Sequence, residues 1–383
     1  MRLRSCVAIE LAVGTTVAAA CAGAAMWGLS ELRALDSREA RADATPVASA
    51  VAAAATATTR PTEVPGPEEV VDAAPTPPPP DEAPSADAPP WMGTFGGAAD
   101  QTLLAPLREP AITGVKFNRG GTSISLRIDF ENGSRAACKP NQIHIHSQPR
   151  REVAAYRINR LLGLASVPPA VGRRFRFSDI VDHLRDPTHR KRVVAEGSPE
   201  KDGTVLAELS WWIPVLVEAR IQGFTVDSTD GVVTWKRYLK QGRPVPDDVA
   251  GVVSQISQLV LFDFVINNAD RWSGGNVKAS DDGRVLYFMD NTMSFSVYTH
   301  GREHNLKPLL RMQVFPRGLI QRLRELTTDS LRAALALPSD PIGLGPLLTD
   351  EELSAVLARR DYVVAHVDRL IERYGEDAVL ALP

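Results

Sequence analysis

From Val249 to Ile266 the chain is apolar on one helical face at first and almost all round by its end. That pattern predicts a helix that runs into the core. It stops at Asn267-Asn268, side chains that bond nearby backbone and so favour caps and turns over helix interiors. Asp270 therefore falls on a polar loop just past a rigid helix. Further on, Val285-Leu286-Tyr287-Phe288-Met289 is an apolar run between Asp282-Gly283 and Asp290-Asn291. It predicts a short buried strand with Asp290 at its exit.

Upstream the period changes from helical to alternating. Ile112 to Phe117, Arg119-Gly120-Gly121, then Ser123 to Phe130 with Ile124, Leu126 and Ile128 in alternation read as a hairpin. Glu131-Asn132-Gly133 is a strong turn signal, and Ser134 to Lys139 follows as a third antiparallel strand. The glycine pair is no more than a hint of a phosphate loop. Arg150 to Gly163 predicts a helix with Ala154, Ile158, Leu161 and Leu162 on one face. Gly163 ends it, and Val167-Pro168-Pro169 forbids continuation. Glu152 sits in its first turn, where it either complements the helix dipole or pairs with Lys139.

Phe175 to Glu208 shows no period and predicts irregular structure, with His189-Arg190-Lys191-Arg192 a solvated face. Leu209 to Ile221 is apolar with two tryptophans, a core segment or the wall of a pocket. His144 and His146 have strand spacing for metal ligands but no third candidate nearby. Phe315 to Leu337 and Thr349 to Tyr374 are amphipathic helices, with Asp350-Glu351-Glu352 suiting the start of the second.

The ends of the chain differ in composition. Met1 to Leu29 carries Arg2 and Arg4 and then an apolar run, an export signal or a membrane anchor. An uncleaved anchor is the first reading and lipidation at Cys21 the second, with the bulk of the chain outside the cytoplasm. Ser30 to about Asp100 is an Ala- and Pro-rich acidic linker, too poor in apolar surface to order itself. Residues 1–100 hold 6 Lys or Arg against 13 Asp or Glu, and the rest of the chain 37 against 33. The folded part is thus mildly basic, which suits a phosphate-bearing ligand and gives no basis for nucleic-acid binding. Of three cysteines only Cys138 lies there, so it contains no internal disulfide.

Two carboxylates on loops, Asp270 after a buried helix and Asp290 after a buried strand, are either ordinary turn residues or the pair that metal-assisted phosphoryl transfer requires. In the second case one takes or orients the nucleophile's proton and the other holds the metal. A small strand-rich lobe with a lysine, a helix with a glutamate, and a helical lobe with two loop aspartates predict an α+β, two-lobed, protein-kinase-like fold. Its small antiparallel-sheet N-lobe would span about 111–220 and its helical C-lobe about 221–383, within a domain over 101–383.

The usual protein-kinase signatures, GxGxxG, His-Arg-Asp and Asp-Phe-Gly, are missing. Four stretches instead resemble the atypical secretory-pathway kinases of the Golgi casein kinase and four-jointed type. They are Cys138-Lys139-Pro140, Arg151 to Arg173, Asp263 to Arg271 (DFVINNADR), and Met289-Asp290-Asn291 with Phe295. The leader and linker look bacterial. The resemblance implies that Lys139 contacts nucleotide phosphates and that Glu152 pairs with it. It implies Asp270 as catalytic base, and Asp290 as metal ligand with Asn276 as a second. Asn276 lies six residues after Asp270 rather than five, and Trp272 stands where the family has His. The implied activity is transfer of the ATP γ-phosphoryl group, with Mg or Mn, to a hydroxyl of a protein or glycan. The alternative is a pseudokinase serving as a nucleotide- or partner-binding module at the cell envelope.

Overall fold

The computed structural model describes residues 89, 92–118, 122–145, 147–273, 275–336, 344 and 346–383. The leader, nearly all of the linker, the Arg119-Gly120-Gly121 turn beyond Asn118 and His146 lie outside the described residues. The fold begins ahead of residue 100. Thr94–Phe95 pairs with Ala98–Ala99, and the carboxylate of buried Asp100 accepts from Arg160 Nε at 2.8 Å.

The N-lobe is a five-stranded antiparallel sheet. Its strands are β1 (Ile112–Phe117), β2 (Leu126–Phe130), β3 (Arg135–Pro140), β4 (Ala170–Arg176) and β5 (Thr204–Trp211). The spatial order is β1-β2-β3-β5-β4. The Asn-Gly turn forms as expected: Gly133 has φ 81°, and its amide donates to Phe130 O at 3.0 Å. Helix α1 (Pro149–Leu161) follows β3, starting with proline where no amide partner is needed. Gly163, at φ 72°, releases the chain after it. The helix has more than the single apolar face expected, since every residue from Glu152 to Arg160 is buried.

Two expectations for this lobe are corrected. The stretch from Phe175 to Glu208, read as irregular, holds the end of β4, a short helix (Phe177–Asp182), helix α2 (Pro187–Glu196) and most of β5. In β4, most of which precedes that stretch, the alternation is hidden because an arginine takes an inward position. Arg173 is buried, with its guanidinium over Phe130 and Phe175 and donating to the carbonyls of Leu107, Glu109 and Pro110. The basic cluster is not merely solvated. His189 stacks on Phe117 at 4.6 Å, and Arg192 lies 5.0 Å from the same ring.

The C-lobe is built on α4 (Asp247–Ile266), with α3 (Thr229–Tyr238) before it. Asp247 and Asp248 in the first turn of α4 complement its dipole. From Leu259 to Ile266 every residue is buried. Each large apolar side chain so buried contributes roughly 1.5–3 kcal/mol, which anchors the end of the helix where the loop to Asp270 begins. Asn267 stops it in the left-handed conformation, at φ 55°. This is the one helix among the described residues long and apolar enough to cross a bilayer, and it is packed inside the protein.

Strands β6 (Val277–Ala279) and β7 (Leu286–Phe288) form a small antiparallel sheet with Val217–Glu218. Helices α5 (Glu303–Arg311), α6 (Arg317–Glu325), α7 (Thr328–Leu335) and α8 (Asp350–Tyr374) complete the lobe. The single helix expected from Phe315 to Leu337 is two. Thr327 forms a capping box with Ser330 and so starts a new helix instead of extending the old one.

Candidate active site

β3 ends by presenting Lys139 beneath the sheet, opposite Glu208 on β5. The Lys139 ammonium donates to Glu152 Oε1 at 2.9 Å and to Asp290 Oδ1 at 2.7 Å. One side chain thus joins the sheet, α1 and the turn after β7. Burial alone would push the Lys139 pKa down. Asp290 and Glu152 more than offset that and hold the ammonium charged. Asp290 is affected in the mirror sense: burial pushes its pKa up, and Lys139, then the Thr292 hydroxyl, bring it below the ordinary range. Asp290 has φ 52°, a conformation costly for a residue other than glycine and held only by its surroundings.

Those surroundings are a set of amides and one arginine. Asn291 N and Nδ2 donate to the two Glu152 oxygens at 2.8 and 3.2 Å. Asn268 Nδ2 donates to Asp290 O at 3.1 Å, and Asn268 Oδ1 accepts from Asp270 N at 2.9 Å. The two loops bearing Asp270 and Asp290 are therefore tied by one side chain. Arg271 is fully buried. It pairs with Asp263 on α4 at 3.0 Å and donates to Asn276 O at 2.9 Å, Asn291 Oδ1 at 2.6 Å and the Met289 carbonyl. A guanidinium with five donors in a planar fork can join a helix, a loop and a strand end at once. Burial pushes the Asp263 pKa up against the pull of Arg271.

Asn276 Nδ2 donates to Asp270 O at 2.9 Å and to Asp270 Oδ2 at 3.2 Å. The amide is turned to Asp270, which leaves the oxygen of Asn276 as its donor atom toward a cation. Trp272 stacks against buried Trp235 at 5.8 Å, and Asp227 accepts from Gly275 N at 3.2 Å. The loop from Asp270 to Asn276 is thereby held on both sides.

A cleft of about 360 Å³ opens beside Lys139, within the range of small-ligand sites. Glu152, Glu208, Asn276, Asp290 and Asn291 give it a charged and polar wall. Ala137, Val167, Trp211, Trp212, Ile213, Leu216 and Phe288 give it an apolar one. The tryptophan segment thus lines a pocket at the lobe junction, the second of its two expected roles. Glu208 is almost wholly buried there. Burial, then Glu152, push its pKa up to about 8, against the Ser210 hydroxyl and Lys139.

The structure brings Lys139, Glu152 and Asp290 into contact and sets Asn276 on the same cleft, with Asp270 joined through Asn276. Sequence reasoning gave no role to Asn291, Asn268, Arg271 or Glu208. Three of these lie within or beside the quoted motifs, and the burial of Arg271 beside Asp263, one residue type of each charge in an apolar stretch, was the available signal. Among the described residues His144 lies on an irregular segment and forms no metal-ligand cluster.

Residues 237–379 match the family described as Golgi casein kinase, C-terminal, Fam20. The chain is 23% identical over 329 residues to the human extracellular serine/threonine protein kinase FAM20C, covering 74% of this chain and 56% of that protein. It is 24% identical over 304 residues to the human glycosaminoglycan xylosylkinase, covering 68% and 72%. The crystal structure of the Golgi casein kinase with Mn/ADP bound superposes with a TM-score of 0.55 at 16% identity, covering 73% of this chain and 78% of that one. The match thus spans just over half the length of FAM20C. The fold is the two-lobed kinase-like one expected, and the chain is similar in sequence and architecture to the Golgi casein kinases that its motifs resemble.

Proposed function

We propose that this protein is a metal-dependent kinase that transfers the γ-phosphoryl group of ATP to a hydroxyl of a protein or a glycan. The observation that carries the reading is the Lys139 ammonium held between Glu152 at 2.9 Å and Asp290 at 2.7 Å on the wall of a nucleotide-sized cleft. Lysine between a helix glutamate and a metal-binding aspartate is how kinases place phosphates. The relatives' names support the two acceptor classes, one a serine/threonine protein kinase and one a xylosylkinase.

The donor set suits a hard divalent cation. Asp290 and Glu152 bring two carboxylates, and Glu208 a third carboxyl group, to a cleft with one ammonium, and Asn276 adds an amide oxygen. Among the described residues no three His, Cys, Asp or Glu side chains are grouped to hold a metal alone. That fits a cation shared between one or two protein oxygens and the phosphates of the substrate. Asp290 and Asn276 would hold Mg or Mn, which would supply charge neutralisation at the phosphates. The Golgi casein kinase bound to Mn/ADP supports both ligands.

In the reaction Lys139 binds phosphate oxygens, and Glu152 keeps it aimed. Asp270 accepts the proton of the acceptor hydroxyl while that oxygen bonds to the γ-phosphorus and the bond to the β–γ bridging oxygen breaks, releasing ADP. Asn276 fixes the Asp270 carboxylate, and Asp290 stays ionised. Arg2, Arg4 and the apolar leader, together with an extracellular and a Golgi relative, support export with a membrane tether. The test is a thermal-shift titration with ATP or ADP and Mg²⁺ or Mn²⁺, followed by ATP turnover with a casein and a xyloside as acceptors. A metal-dependent shift and turnover are expected. The absence of both would end the kinase reading.

A further inference from the structure

The last long helix, α8, contacts elements behind both halves of the site, α1 on one side and the segment after Asp290 on the other. At its start Glu352 is 4% exposed. It receives Arg150 Nη1 at 2.7 Å and Nη2 at 2.9 Å, and Arg151 Nη2 at 2.9 Å. These two arginines immediately precede Glu152 on α1. Arg150 also donates to Leu347 O at 2.7 Å. The same glutamate closes the helix's own capping box, its Oε2 accepting from Thr349 N at 2.9 Å. Seven residues on, two turns along and on the same side, Arg359 is fully buried. Its Nε donates to Val265 O at 2.8 Å, and its Nη1 to Ser296 O at 2.9 Å and Tyr298 O at 2.7 Å.

Val265 belongs to the last turn of α4, before the Asp270 loop. Ser296 and Tyr298 belong to the strap that follows Asp290. Its first residue, Phe295, has φ 61° and donates its amide to Ile266 O at 2.6 Å. Phe295 is buried, but Val297 and Tyr298 are 57% and 62% exposed, so beyond Phe295 apolar packing does not hold this strap. There Arg359 binds its backbone, beside the Asn267 amide on the Ser296 hydroxyl. A buried guanidinium that donates to three carbonyl oxygens and faces no carboxylate in these contacts is a costly way to pack a helix, and burial pulls its pKa down to about 10. An apolar side chain would fill the space without that cost but could not bind the strap.

We infer that α8 is a brace for the active site, carrying two positioning residues: Glu352 sets α1, and so Glu152 and Lys139, while Arg359 sets the strap against the end of α4, and so the acceptor side near Asp270. Neither touches substrate. The inference rests on the kinase reading above. Its distinguishing consequence is that the two residues act on different kinetic constants. Loosening α1 weakens nucleotide binding. Loosening the strap misplaces the acceptor side while Asp290 keeps its own contacts to Lys139, Thr292 and Asn268, so turnover falls and nucleotide binding holds.

The experiment uses the full chain with Mn²⁺–ADP titrations for binding and ATP turnover with casein for kcat, at a temperature where each variant is fully folded. Glu352→Gln keeps a side chain that can close the capping box but removes the charge. It should weaken Mn²⁺–ADP binding by about fivefold to tenfold, the difference between charge-assisted and neutral hydrogen bonds, with kcat within about twofold. Arg359→Lys should lower kcat by about 10- to 100-fold, as small misplacements of reacting groups do, with Mn²⁺–ADP affinity within about twofold. Val297→Gly with Tyr298→Gly loosens the exposed strap without touching the core. It should reproduce the Arg359→Lys result even if that variant fails to fold. Parallel loss of binding and turnover in every variant, or no loss in any, would overturn the brace. Wild-type protein with no Mn²⁺–ADP shift and no turnover would remove the kinase reading and the brace with it, whereas wild-type turnover with unaltered variants removes the brace alone.

Discussion

The two halves of the site are held in different ways. Lys139 and Glu152 sit on regular elements, a strand end and a helix first turn, whose backbone hydrogen bonds are satisfied without them. Asp270 and Asp290 sit on loops, and their loops are held by side chains: Asn268, Asn276, Asn291 and Arg271. The N-lobe half is thus a charge presented by a scaffold. The C-lobe half is a network in which each polar group completes another's hydrogen bonding. Side-chain changes should accordingly cost function first in one half, and stability as well as function in the other.

The largest effect should come from the residue shared by both halves. Asp290→Ala removes one of the two carboxylate partners of Lys139 and the charged one of the two proposed metal ligands, so Mn²⁺-dependent nucleotide binding and turnover should both disappear. Asp270→Ala should leave nucleotide binding nearly intact and lower turnover by roughly 10²–10⁴-fold, the contribution of a positioned general base. Equal loss of binding in the two variants would overturn this division of roles.

Stability separates the halves next. Arg271→Met strands the buried Asp263 carboxylate and three other acceptors, and should destabilise by about 3–5 kcal/mol in urea unfolding. Lys139→Met, at the cleft wall with its side chain 12% exposed, frees carboxylates that water from the cleft can reach and should cost clearly less. Comparable losses would mean that both halves are networks.

The smallest effect is set by pH. Glu208 has a folded-state pKa of about 8 against 4.5 unfolded. Between those values the folded state binds the extra proton, so stability is full at low pH and falls as pH rises from about 4.5 through 8. Glu208→Gln removes the titration. It should be nearly neutral at pH 5 and stabilise by roughly 1–4 kcal/mol at pH 9, read from melts across that range. A flat difference between the two proteins would show that Glu208 is ionised at no cost.

The regular half was the more legible one. The three strands and α1 followed from alternation, an Asn-Gly turn and a terminal glycine, signals carried by neighbouring residues. What escaped notice did so for one reason. Arg173 in β4 and Arg271 beside α4 look solvent-facing in a linear reading, yet each is buried by hydrogen bonds to groups distant in the chain. The tryptophan segment was read as apolar, and only the sheet pairing of Lys139 with Glu208 places its start on the cleft.

The sequence by itself determined the first three strands of the sheet, α1, α4, α8 and the placing of Asp270 and Asp290 on loops after buried segments, because these depend on periodicity and local turn chemistry. The tertiary structure alone decided which charges meet. Lys139 and Asp290 are 151 residues apart along the chain, and Arg150 and Glu352 are 202 apart. No local preference encodes such a pairing. It is selected when the fold buries both groups together, and each ion then becomes affordable only in the presence of the other.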